Sequence, residues 1–90
     1  MLRISEHPSE VEGARTLVVE GRAVGPWVEE LANVARAALA RDGHLIVNLE
    51  DVSFLDPHAV ALLRELEARG CTLVGRSPFI DAQLRAGSQP

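Results

Sequence analysis

The side chains of this 90-residue chain that could carry chemistry gather in one stretch, Glu50, Asp51, Ser53, Asp56 and His58. Glu50 and Asp51 read first as solvated turn residues and second as ligands for a metal or a partner. Ser53 reads first as a turn hydroxyl bonding its own backbone, and second as a phosphate acceptor. Asp56 stands before Pro57 and so reads as a helix N-cap, worth about 1 kcal/mol. It also reads as a surface carboxylate that a partner recognises, and the two roles are compatible. His58 reads first as a plain surface residue. Its chemical alternatives are a phosphohistidine, a pH-sensitive contact or half of a metal site. No second His or Cys stands at ligand spacing, since His7 and His44 are distant in the sequence. The single cysteine, Cys71, excludes an internal disulfide, cannot build a metal site alone, and reads as a small packing residue.

The same positions lack the patterns of an enzyme. There is no Gly-rich phosphate loop, no nucleophile elbow and no metal-ligand cluster. The expectation is therefore no catalytic residue, no cofactor and no metal. Arg22 and Arg76 could bind an anion together with helix N-termini, but Glu50, Asp51 and Asp56 would share that edge and oppose it. Trp27 reads as a packed aromatic lid over the sheet edge, ahead of a ligand stack.

Elements that position these residues follow from hydrophobic periodicity. Leu2 to Ser5 alternates and predicts a short strand, followed by a loop over His7 to Gly13. Thr16 to Glu20 is β-branched and apolar and predicts a central strand that stops at Gly21. His44 to Leu49 predicts another, and Thr72 to Val74 a short last one. Helices are predicted from Pro26 to about Arg41, from Pro57 to about Arg69, and from Pro78 to Ala86. The first carries Trp27, Val28, Leu31, Val34, Ala35, Ala38 and Leu39 as one apolar stripe, with Glu29, Glu30, Asn33 and Arg36 toward water. The second turns Ala59, Val60, Leu62, Leu63 and Leu66 inward, with Glu65 and Arg69 paired outside. Each helix has proline at its first position, where the missing N–H has no intrahelical partner to lose. Asp56 and Ser77 are N-caps of the second and third.

The order is β-β-α-β-α-β-α. Right-handed crossovers make the last three strands parallel, with the first as an antiparallel edge. The expected fold class is α/β, a single domain with a mixed four-stranded sheet and helices packed on it. All three helix starts then meet at the carboxyl edge of the strands, the edge where α/β folds place their sites. That rim is read as Gly21 to Gly25, Glu50 to Asp56, and Gly75 to Ser77.

Composition narrows the partners. Hydrophobic residues are 47% and charged residues 24%, the mix of a soluble globular chain. Nine basic residues, all arginine, against 13 acidic ones give −4. A net acidic chain lacks the basic patch that nucleic acid or anionic lipid needs. Aromatics are only Trp27, Phe54 and Phe79, which removes the stacking platforms of single-strand binders. No apolar run approaches the ~20 residues of a membrane span, and the first residues lack a secretory pattern. The expected location is the cytoplasm, with no direct membrane insertion. The domain is expected over residues 1–87, with 88–90 as a frayed tail.

The order of these signals resembles the STAS domain, the fold of bacterial anti-sigma-factor antagonists and related regulatory modules. The resemblance rests on Asp51-Val52-Ser53-Phe54-Leu55-Asp56, then Ala61-Leu62-Leu63, with Gly21 after the second strand and Gly70-Cys71-Thr72-Leu73 before the last. It runs from about Leu2 to Leu84. It implies a non-enzymatic interaction module in bacterial signalling. The implied partner is an anti-sigma factor or switch kinase, held through Asp56, His58, Ser53, Asp51 and Glu50. In switchable members a serine or threonine follows the aspartate and is phosphorylated by a partner kinase. Here that phosphoacceptor position is Pro57, and the glycine expected two places later is Ala59. A phosphate would add about −1.5 to −2 charges, which this position cannot accept. The chain is then a constitutive binder, or control lies in its partner. A second form of the resemblance is a small STAS subunit of a membrane transporter complex, docking on the ATPase. Outside it stands a nucleotide- or small-ligand-binding sensor at the strand edge. A weak homodimer is compatible with any of these.

Overall fold

Alternating burial along the strands and a single buried stripe on each helix set a two-layer architecture. The computed structural model describes residues 2–9 and 13–86. Its elements are β1 (Leu2–Pro8), β2 (Ala14–Ala23), α1 (Pro26–Asp42), β3 (His44–Leu55), α2 (Pro57–Ala68), β4 (Thr72–Val74) and α3 (Pro78–Ala86). The expected tail, with Gly87 before it, lies outside the described residues. The strands form one sheet in the order β1-β2-β3-β4. β1 pairs antiparallel with β2, and β2, β3 and β4 run parallel. Leu17, Val47 and Leu73 stand side by side across the sheet and are all buried.

The helices cover one face of this sheet. Leu17 and Val19, with Leu45, Val47 and Leu49, point into the core, while Val18, Ile46 and Asn48 between them do not. From the helical layer, α1 inserts Val28, Leu31, Ala35 and Ala38, α2 inserts Ala59, Leu63 and Leu66, and α3 inserts Ile80 and Leu84. α2 packs against both α1 and α3. The core is aliphatic, with Cys71 among its members and no buried polar side chain among the described residues. Each fully buried leucine contributes roughly 1.5–3 kcal/mol.

Several expectations from the sequence are corrected. β1 runs on through His7 to Pro8, and β2 passes Gly21 to end at Ala23. β3 does not turn at Glu50 but continues to Leu55, so Glu50, Asp51 and Ser53 are strand residues. The cause is two irregularities in its pairing with β2. Val18 faces Asn48 while Glu20 faces Asp51, and Gly21 faces Val52 while Arg22 faces Phe54. Each inserts one extra residue into β3, which breaks strict alternation and puts Glu50 and Asp51 both outward. Finally, Trp27 is not a packed lid; it is 37% exposed, off the side of the stripe that buries Val28 and Leu31. Within that stripe Val34 and Leu39 are only half-buried, and Ala32 is buried in addition.

Candidate functional site

The carboxyl ends of β2 and β3 are joined by one side chain. Asp56 caps α2, its Oδ1 accepting the Ala59 N–H at 2.8 Å. Its Oδ2 accepts the N–H of Gly25 at 2.8 Å, the residue before α1. The Asp56 N–H in turn donates to the Ala23 carbonyl at 3.0 Å. One carboxylate thus fixes two helix starts, and the prolines at both first positions stiffen them further. Partial burial pushes the Asp56 carboxyl up. The Ala59 and Gly25 N–H donors, the nearby His58 charge and the His58 N–H outweigh this and hold it below the ordinary aspartate range. Gly25 has φ of 56°, a conformation that favours glycine.

The other sequence candidates spread over this edge. His58, at the second position of α2, is exposed and lines a shallow groove between α1 and α2 with Gly25, Val28, Arg36 and Glu65. Arg36 and Glu65 close that groove by an ion pair of 3.1 Å. The Ser53 hydroxyl donates across the sheet to the Gly21 carbonyl at 3.3 Å, in place of the expected turn bond. Glu50 and Asp51 are exposed on β3 just past the end of β4, and the Glu50 N–H donates to Asn48 Oδ1 at 2.9 Å. Pro57 opens α2 and is exposed. Asp56 and His58 therefore belong to one corner, with Ser53, Asp51 and Glu50 leading to it along the strand.

The anion site considered for Arg22 and Arg76 does not form. Arg76 is held by Glu67 and by Asp81, the latter at 3.3 Å. The Arg22 guanidinium lies over the Phe54 ring, 5.6 Å from its centroid. Ser77 caps α3 as expected, accepting the Ile80 N–H at 3.1 Å. Cys71 is buried, and burial raises its thiol pKa although Arg69 opposes this. A buried thiol held protonated in this way serves as a small packing residue. Among the described residues no group of His, Cys, Asp and Glu could hold a metal ion, and no helix is long and apolar enough to cross a membrane.

A second groove, between α2 and α3, escaped the sequence reading. Phe54, Leu55, Pro57, Val60, Arg64 and Ala86 are among its walls, and it encloses about 530 Å³. Gln83 anchors α3 beside it. Its side-chain amide donates to the Leu55 carbonyl at 2.9 Å and accepts the Leu55 N–H at 3.0 Å. This side chain pairs with the β3 backbone where β4 has already ended. The signal available in the sequence was the placement of Phe54 and Phe79 at a strand end and a helix start, outside the aliphatic stripes.

Comparison with solved structures places the fold. The anti-sigma factor antagonist SpoIIAA in its unphosphorylated form matches with a TM-score of 0.68 and 22% identity, over 92% of this chain and 82% of that one. The phosphorylated form of SpoIIAA, the Bacillus cell fate determinant, matches with 0.64 and 20% identity, over 96% and 84%. An antisigma-factor antagonist STAS domain from Rhodobacter sphaeroides matches with 0.60 and 20% identity, over 82% and 86%. No family model matches the sequence, and no curated protein is a significant match. With its mixed four-stranded sheet, its three helices on one face and a capped helix leaving β3, the chain is a STAS-like domain with the SpoIIAA fold.

Proposed function

We propose that this chain is a non-enzymatic, cytoplasmic interaction module of bacterial regulation that binds a protein partner in the manner of an anti-sigma-factor antagonist. The partner class is an anti-sigma factor or switch kinase. Contact centres on Asp56 and His58, with Ser53, Asp51 and Glu50 beside them. The observation that carries this reading is the double use of Asp56, which locks the starts of α1 and α2 into one rigid corner. A corner that is already ordered loses little entropy on docking. SpoIIAA is known in unphosphorylated and phosphorylated forms. In the present chain the residue after Asp56 is Pro57, which has no hydroxyl. We therefore place the control of binding outside that position.

The test of this last step is the intact mass after incubation with ATP and an anti-sigma-factor kinase. The expected result is an unmodified protein. A phosphate gained on Ser53 or Ser77 would show that the switch has moved rather than gone.

A further inference from the structure

Where a small domain spends its aromatic residues says what they are for, because each can bury 150–250 Å² or so. This chain has three, Trp27, Phe54 and Phe79, and none is in the core. All three stand at the carboxyl end of the sheet, at the start of α1, the end of β3 and the start of α3. Phe79 is 54% exposed and lies against Phe54, with ring centroids 6.4 Å apart. Phe54 also forms a wall of the groove between α2 and α3. Phe79 thus adjoins the groove through Phe54, and the buried Leu55 and Val60 lie at its floor.

The charges at this groove differ from those of the chain as a whole. The protein carries −4, yet no carboxylate among the described residues lines the groove. Its charged wall residue is Arg64, and Arg22 stacks on Phe54. The neighbouring groove between α1 and α2 is lined instead by Glu29, Arg36, His58 and Glu65. An aromatic wall at Phe54 with Phe79 against it, an arginine, and no acidic wall among the described residues are the composition of an interface centre. An open trough between two helices accepts the apolar ridge of a third.

From this, and resting on the reading that the chain docks a protein, we propose the occupant. It is an amphipathic helix of the partner, with an apolar ridge in the α2–α3 groove and carboxylates along its flank facing Arg64 and Arg22. Asp56 and His58 then form one border of the docking surface, and Phe54, Phe79 and Arg64 its anchoring part.

The probe is a synthetic amphipathic helix of ~14 residues, about four turns, with leucines at helical spacing and glutamates flanking them. A second peptide carries lysines in their place. Backbone amide shifts of the labelled full chain are followed in both titrations. The glutamate peptide should move residues 54–64 and 83–86, with a Kd below about 1 mM and at least about tenfold tighter than the lysine peptide. Arg64→Glu should remove that preference, while Glu30→Ala, exposed on α1 and away from both grooves, should change the Kd less than about twofold. Equal binding of the two peptides, or no shifts in these segments, overturns the proposal. So do shifts there that arise from protein concentration alone, which make the occupant a second copy. Shifts caused by oleate and not by the peptide, which make it an acyl chain, do so too. A natural partner that is lost on His58→Glu but held unchanged by Arg64→Glu leaves the docking function standing and removes this groove from it.

Discussion

Asp56 is where local and tertiary structure meet. As an N-cap alone it contributes about 1 kcal/mol, and its second oxygen adds a charge-assisted bond to Gly25, 31 residues earlier. Asp56→Ala should therefore cost about 1–3 kcal/mol in urea melts near neutral pH. The folded carboxyl sits below its ordinary range. Its contribution is then complete above the unfolded value of about 4 and lost as pH falls through the folded one. The parent should lose stability on that acid limb more steeply than Asp56→Asn does, as measured by midpoints across pH. Half of this residue was legible in advance. Asp before Pro announces a cap, but nothing near Gly25 in the sequence says that its N–H meets the same carboxylate. Ser53 shows the same limit, because its acceptor at Gly21 belongs to another strand.

At the scale of elements, helices were the more readable part. Three-and-four spacing and Pro starts locate all three, and Leu63 on α2 faces the sheet as its phase requires. Leu63→Ala should cost about 2–5 kcal/mol by urea midpoint, and Glu30→Ala, exposed on α1, no more than about 0.5 kcal/mol. Glu67 also faces outward, yet it is tied to Arg76 and so is not a neutral control. β3 was misjudged because a strand with two extra residues loses the period of two on which its detection depends. The close of β4 after Val74 was read from the sequence, but the tight contact that demands glycine at 75 was not. A Cβ on Gly75, whose φ is 72°, would stand 2.9 Å from both Asn48 Oδ1 and the Glu50 nitrogen. Gly25, with φ of 56°, has open space there. Gly25→Ala should then lose about 1–3 kcal/mol from backbone strain alone, and Gly75→Ala should lose more, read as the difference between their thermal midpoints.

For the molecule as a whole, the parallel run of three strands and the antiparallel edge followed from topology rules applied to the sequence, whereas the helices' placement on one face came only with the structure. The two grooves beside α2 were not legible, since grooves are made by helices that meet through packing. α2 lies between two of them, one charged and one apolar, and its first turn carries Pro57 and His58 at the corner that Asp56 locks. The claim that this corner binds a regulatory protein is tested most directly by affinity capture with the parent chain and with His58→Glu as paired baits, the retained proteins being identified and quantified by mass spectrometry. His58 is exposed, so the variant's thermal midpoint should match the parent's. The predicted result is an anti-sigma-factor or kinase-like protein that the parent retains and the variant loses by about tenfold or more. Equal retention of that protein by both baits would contradict the account.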